Sequence, residues 1–203
     1  MNGLQTTKRH DAEEGRHRDP GSVLITGAAS GLGLRIAETF GERGRPVLAL
    51  DLRFDQSARA RLEKATSGRV HFEEVDVRQG SAVAASISRG VEALGPLTKA
   101  INCAGVQHAD VFQDLSEDAF RRVVDINLIG SRNVAAAALD HLDQGGHLVL
   151  VASMAGLVPN YGYAAYCASK YGVVGLAEVL RLEQRPRRVA VSVVCPPEVE
   201  TPM

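Results

Sequence analysis

Neither sign of charge predominates in these 203 residues: 23 Lys and Arg stand against 24 Asp and Glu, a formal net charge of −1. So balanced a chain lacks the basic surface that nucleic-acid binding requires, and no such partner is expected. Long apolar runs are missing as well. No stretch reaches the roughly 18 residues of a membrane span, and residues 1–20 have no apolar run of the kind a secretory leader carries. A transmembrane segment is therefore not expected, while a peripheral membrane contact is left open. Cysteine is scarce: Cys103, Cys167 and Cys195 are widely separated, odd in number and without metal-ligand spacing. That argues against a disulfide framework and predicts no metal site; free thiols in a cytoplasmic protein are the simpler account. No internal repeat occurs within 22–195, and no Gly-Lys-Ser/Thr follows the Gly-rich segment, as a nucleotide-triphosphatase loop would need.

What is present is 45% apolar residues, enough for the core of one domain. Nearly every residue of 8–20 is charged, His, Gly or Pro, so 1–20 reads as a disordered polar tail or, alternatively, a peptide-binding or targeting segment. From Ser22 onward short β-branched runs alternate with helical patterns. Strands are expected over 22–26, 46–50, 70–75, 97–102, 147–152 and 188–195, and helices over 31–43, 56–65, 79–93, 117–141 and 163–183. That rhythm predicts an α/β fold: a doubly wound parallel sheet of Rossmann type with helices on both faces. Glycines at Gly44 and Gly145 punctuate two helix-to-strand turns.

The run Val23-Leu24-Ile25-Thr26 leads into Gly27-Ala28-Ala29-Ser30-Gly31-Leu32-Gly33 and then an amphipathic helix. In that context Gly27 permits a tight turn, Gly31 lets the backbone approach a pyrophosphate, and Gly33 lets helix pack closely on strand. The phosphates lie at the positive helix end. Asp51 ends the second strand, 18 residues beyond Gly33, where a carboxylate accepts both ribose hydroxyls of NAD and repels the 2′-phosphate of NADP. Arg53 either folds over the ribose, which would admit a phosphate, or faces solvent or pairs with Asp55. Asp76 and Val77 close the third strand and either flank an adenine or simply end the strand. Asn102, Ala104 and Gly105 end the fourth, as a backbone wall beside the nicotinamide ribose or as a structural turn.

Tyr166 and Lys170 lie one helical turn apart and share a face, and Ser153 follows the fifth strand at the carboxyl edge where open parallel sheets bind ligands. An ammonium beside a phenol stabilises phenolate and lowers its pKa from about 10, which makes tyrosine usable as acid and base. Ser153 would position the substrate oxygen, and Lys170 would also hold ribose hydroxyls.

With these motifs in order, the sequence resembles the NAD(P)-dependent short-chain dehydrogenase/reductase family over 22–203. The matching residues are Thr26, Gly27, Gly31 and Gly33, Asp51, Asp76-Val77, Asn102-x-Ala104-Gly105, Asn127, Ser153, Tyr166-x-x-x-Lys170 and the Pro196 segment. The resemblance implies a hydride-transferring oxidoreductase acting on a secondary alcohol or ketone. It also implies that Asn127 displaces a normal helical ladder and holds a water linked to Lys170, and that Pro196, Val199 and Thr201 contact the cofactor. Three departures stand out: Cys103 in place of an asparagine, Pro196-Pro197 in place of Pro-Gly, and an end at Met203. Family members continue with a substrate-covering segment, a helix and a seventh strand, so 21–203 is expected to be the dinucleotide-binding catalytic domain without its carboxyl-terminal part. Pro197 removes an amide donor beside the nicotinamide, which keeps open a dinucleotide-binding scaffold with little turnover. The Pro-Pro pair is similar to family members that reduce 3-ketosphinganine and hints at a lipid-like substrate. Leu157, Val158, Tyr161 and Tyr163 near Ser153 favour an apolar one. Helices 117–141 and 163–183 carry small or apolar residues on more than one face, including 135–138, Val173, Val174, Leu176, Ala177 and Leu180. The resemblance implies that these helices pair in a homodimer or homotetramer.

Overall fold

The computed structural model describes residues 21–197. Six strands, β1 (Ser22–Thr26), β2 (Val47–Asp51), β3 (Val70–Glu74), β4 (Leu97–Asn102), β5 (His147–Val151) and β6 (Ala190–Val194), form one sheet in the order β3-β2-β1-β4-β5-β6. Every neighbouring pair is parallel. Each connection therefore crosses a face of the sheet, and helices cover both. Side chains alternate along β1: Val23 and Ile25 join one core with Leu34, Ala37 and Leu62, whereas Leu24 joins the other with Val83, Ile87 and Val173. The first core lies under α1 (Gly31–Glu42) and α2 (Gln56–Thr66). The second lies under α3 (Gly80–Leu94), α5 (Gly130–Leu139) and α6 (Ala164–Glu183). Because the chain winds outward from β1 one way and from β4 the other, a crevice opens above their carboxyl ends.

Several boundaries differ from expectation, each for a local reason. β2 begins at Val47 because Pro46 has no N–H to offer a ladder. β6 begins at Ala190 because Arg188 takes a left-handed conformation, φ +55°, closing a short 3-10 turn. The larger correction concerns 117–141. It is not one helix: α4 (Glu117–Val124) passes into a π turn at Asp125–Ile129, and α5 then ends at Leu139. An extra residue is accommodated there, which places Asn127 fully inside the protein. Gly44 and Gly145 do adopt positive φ, +74° and +88°, at the predicted turns.

A second correction follows from the cores. Ala135, Ala137, Ala138, Val173 and Ala177 are buried in the molecule's own interior, and Val174, Leu176 and Leu180 pack against it. Ala136 stays exposed, and the large apolar groups these segments leave in solvent are Ile129, Tyr171, Val179 and Leu182. The proposed tail over 1–20, and Val199 and Thr201, lie outside the described residues. Among the described residues no helix is long and apolar enough to cross a membrane.

Candidate functional site

The turn between β1 and α1 is built for close approach. Gly27 and Gly31 have φ of +65° and +50°, a region that glycine enters without strain. A Cβ on Gly33 would lie 2.1 Å from the Gly27 carbonyl oxygen, and one on Gly27 would lie 2.9 Å from the Ala104 amide nitrogen. Ser30, at the start of α1, makes no side-chain cap. Asp51 is fixed beside it, with one carboxylate oxygen accepting from the Ala29 amide at 2.8 Å and the other from the Leu52 amide at 2.7 Å. Arg53 is exposed, and Asp55 does not pair with it but caps α2 through the Ala58 amide at 2.7 Å. Asp76 stands just beyond β3. Both of its oxygens accept from Arg78, whose hydrogen bonding holds the carboxyl below the usual aspartate range. Sequence reasoning had no signal for that pair. Val77 lies half in the core and half on the crevice wall.

A buried chain of hydrogen bonds runs from this turn to α6. The Ala104 amide donates to Thr26 Oγ1 at 3.2 Å, and Thr26 is bonded to Asn102 Oδ1. Asn102 Nδ2 donates to Ser131 Oγ at 2.8 Å, and Ser131 Oγ donates in turn to the Asn127 carbonyl. Asn127 Nδ2 donates to Ser169 Oγ at 3.0 Å, and Ser169 Oγ to the Tyr166 carbonyl at 2.7 Å. The Asn127 amide also clamps Val106, accepting from its N–H at 2.8 Å and donating to its carbonyl at 2.9 Å. Thr26, Asn102, Asn127, Ser131 and Ser169 are all at most 2% exposed. Buried polar groups survive only when each finds a partner, and here each does. Sequence reasoning missed the two serines, although Ser131 sits four residues beyond Asn127 and Ser169 directly before Lys170.

Ser153 starts a short 3-10 turn after β5, its Oγ accepting from the Ala155 amide at 3.1 Å. Ser153 acts to lower the pKa of the Tyr166 phenol, yet burial is the larger influence and pushes it up. Lys170 is 5% exposed, and its Nζ donates to the Val151 carbonyl at 2.9 Å while standing 5.6 Å from the centre of the Tyr166 ring. Burial lowers the ammonium's pKa from 10.5 to about 8. The net shift of the phenol is therefore upward, opposite to the lowering expected from Lys170, because desolvation is the largest influence on it. Cys103 also lines the cleft, and burial raises its thiol to about 12.

A cleft of about 800 Å³ joins these parts: Gly31 and Asp51 line one end, Gly105 and Lys170 the middle, Ser153 and Tyr166 the other. Pro196 and Pro197 also line it, with the Pro196 carbonyl accepting from the Met154 amide at 2.9 Å. A smaller hollow of about 300 Å³ between the starts of α1 and α2 contains none of the acid-base groups. Gln107 and Tyr163, joined at 2.8 Å, complete the wall near Tyr166.

The family model described as short chain dehydrogenase matches residues 22–203. Among curated proteins the chain is similar to the 3-ketodihydrosphingosine reductase of Bos taurus, 35% identical over 192 residues, covering 90% of this chain and 58% of that one. It is also similar to oxidoreductase UcpA of Escherichia coli, 35% identical over 188 residues, covering 90% and 70%. The chain thus spans less than two thirds of the reductase's length. Solved structures agree in fold. A short chain dehydrogenase from Mycobacterium paratuberculosis bound to NAD superposes with a TM-score of 0.85 at 29% identity, covering 89% of this chain and 73% of that one. A dehydrogenase/reductase from Sinorhizobium meliloti gives 0.85 at 28% identity, with 90% and 73% covered.

Proposed function

The chain belongs to the short-chain dehydrogenase family, and from that premise we propose an NAD-dependent oxidoreductase that interconverts a hydrophobic secondary alcohol and its ketone. The observation that carries the reading is one continuous cleft with a glycine cradle and Asp51 at one end and Ser153, Tyr166 and Lys170 at the other. The turn fits a dinucleotide: a Cβ on Gly27 or Gly33 would strike the backbone of Ala104 or of Gly27, so only glycine lets the turn close this tightly, and Gly27, Gly31 and Gly33 line the cleft. Asp51 supports NAD over NADP, since its fixed carboxylate would meet the 2′-phosphate as a like charge.

When bound, the dinucleotide supplies or takes up hydride at its nicotinamide ring. In reduction, the Tyr166 hydroxyl donates its proton to the carbonyl oxygen as that oxygen gains charge, and Ser153 Oγ hydrogen-bonds the same oxygen. The phenolate left behind regains a proton from Lys170. Lys170 would also hold ribose hydroxyls. Asn127 positions this group from behind, since its amide joins Val106 to the α6 residue Ser169. In oxidation each proton moves the opposite way.

Three further readings belong to the same proposal. Met154, Leu157, Val158 and Tyr161 are exposed just beyond Ser153, which with the activity that names the bovine relative supports a lipid-like ketone. Free Cys103, Cys167 and Cys195 support a reducing, cytoplasmic setting. Tyr171, Val179 and Leu182 share one exposed face of α6, supporting a homodimer or homotetramer through it. The test of activity is the change in nicotinamide absorbance with NAD and with NADP over a panel of secondary alcohols and ketones. Turnover with NAD supports the proposal. Binding without turnover would make the chain a dinucleotide-binding scaffold, and tighter binding of NADP would overturn the Asp51 argument.

A further inference from the structure

The segment after β4 is tied to the residues that lead into α6 by backbone and side-chain bonds. The Asp110 amide donates to the Gly162 carbonyl at 2.9 Å, and Asp110 forms a parallel backbone bridge with Tyr163. His108 Nε2 and the Asp110 carboxylate lie 2.6 Å apart. Gln107 Nε2 then donates to the Tyr163 hydroxyl at 2.8 Å. Gln107 and Tyr163 both face the cleft that holds Ser153 and Tyr166, with the Tyr163 and Tyr166 rings 6.2 Å apart.

Counting hydrogen-bonding capacity shows what this pair offers. A phenol has one donor and two lone pairs, and a carboxamide has two donors and an oxygen acceptor. Their mutual bond uses one donor and one lone pair. The Tyr163 O–H and the Gln107 Oε1 remain, and no side-chain bond within the described residues takes either. Reversing the amide exchanges the roles, leaving the Gln107 N–H groups and a Tyr163 lone pair, so a donor and an acceptor face the cleft in both orientations. An unfunctionalised alkyl ketone leaves both unmatched. A hydroxyl or an amine carried beside the reacting carbonyl both donates and accepts, and it satisfies the two together.

We propose that Gln107 and Tyr163 are specificity-determining residues that select ketones, or the corresponding secondary alcohols, bearing a hydroxyl or amino group next to the reacting carbon. This rests on the oxidoreductase reading of the same cleft. The reaction itself is unchanged: hydride from the reduced dinucleotide forms the new C–H bond, the carbonyl π bond opens, and Tyr166 supplies the proton of the new hydroxyl. Gln107 and Tyr163 act on which carbonyl is bound and how it is turned.

The test compares three ketones of equal chain length, a 2-alkanone, its 1-hydroxy derivative and its 1-amino derivative, in kcat/KM with the full chain and reduced dinucleotide. The wild type is expected to favour the functionalised ketones by about tenfold, a partly exposed pair discriminating less than a sealed site. Tyr163→Phe and Gln107→Leu should each reduce that ratio to about twofold or less. Gln107→Glu should shift the preference toward the amine, which a merely structural role would not do. Equal kcat/KM for the three ketones in the wild type, or ratios untouched by all three substitutions, would overturn the proposal. If no ketone turns over, the oxidoreductase reading fails separately, and binding of the same compounds to the dinucleotide-loaded protein decides this one. Preference for the hydroxy ketone that Tyr163→Phe abolishes supports it, and equal binding refutes it.

Discussion

Replacing Lys170 with methionine should make the protein more stable while removing its activity. The ammonium is 5% exposed, and burial carries its pKa from 10.5 to about 8. At about 1.4 kcal/mol per pKa unit, keeping the charged form in the folded state near neutrality costs about 3 kcal/mol. Methionine fills a similar volume without charge. It forfeits the bond from Nζ to the Val151 carbonyl, but Val151 lines the cleft, where water can replace that donor, so the loss is about 1 kcal/mol. The net expectation at pH 7 is a variant more stable by about 1–3 kcal/mol. The pH dependence gives the sharper reading. Between about 8 and 10.5 the unfolded chain keeps the lysine proton and the folded one has released it, so wild-type stability gains relative to the variant as pH rises. The gap should therefore close by about pH 10.5. Tyr166 and Cys103, both raised on folding, act in the opposite sense, but they are present in both proteins and largely cancel in the difference. Urea denaturation of the pair at several pH values is the assay. A methionine variant less stable at pH 7, by an amount that does not move with alkali, would refute the reasoning.

Tyr166→Phe should lower turnover by about 10²- to 10⁴-fold while leaving the dinucleotide dissociation constant within a few-fold, and retained turnover would remove Tyr166 as the proton donor. Gly33→Ala places a methyl 2.1 Å from the Gly27 carbonyl oxygen. Calorimetric titration should show dinucleotide binding abolished, with stability down by about 1–3 kcal/mol, and binding at wild-type strength would mean the turn is looser than described. Hydrogen bonding from Arg89, more than from His71, holds the Glu73 carboxyl near 2. That stabilisation is complete above about 4.5 and is lost as pH falls toward 2, so Glu73→Gln should flatten the acid limb of a stability curve, and superimposable acid limbs would count against the pair. Val179→Asp, at an exposed α6 position, should shift sedimentation toward monomer without changing the urea midpoint; a protein already monomeric at micromolar concentration would end the assembly proposal.

The strand-and-turn skeleton was legible because β-branched runs and positive-φ glycines answer to local physics. Val23 to Thr26 can scarcely be anything but a buried strand, and Gly27 and Gly33 stand where backbone nearly meets backbone. Of the residues singled out in the described part of the chain, Gly27, Gly31, Asp51, Gly105, Ser153, Tyr166 and Lys170 line one cleft, whereas Thr26, Asn102 and Asn127 lie buried behind its wall. Less legible was anything that depends on which way a side chain turns. Ala135 and Ala138 looked equally suited to an outer surface and an inner one, because a small residue fits wherever two helices approach, and they lie inside. Lys170 was expected to serve the phenol and the ribose hydroxyls, and it also reaches the Val151 carbonyl, a partner that exists only once β5 is in place. Arg78 lies two residues from Asp76 with no motif to announce it. Burial of Tyr166, a property of the whole fold, could not be read from its neighbours in the chain.

The π turn at Asp125–Ile129 has a bearing on chain length rather than on side chains. One residue of helix advances the face by about 100°. The solvent edge of α5 is Arg132, Ala136 and Asp140, and the opposite side carries Val134, Ala135 and Ala138 into the core. Deleting a single residue from the turn would restore an ordinary helix and swing that whole edge by more than a quarter turn, carrying arginine and aspartate toward the core while withdrawing Asn127 from Val106. Substitutions in this stretch therefore act one at a time, whereas a change in its length acts on core and cleft together. Here residue number itself is under structural constraint, and insertions or deletions are expected to be far less tolerated than replacements.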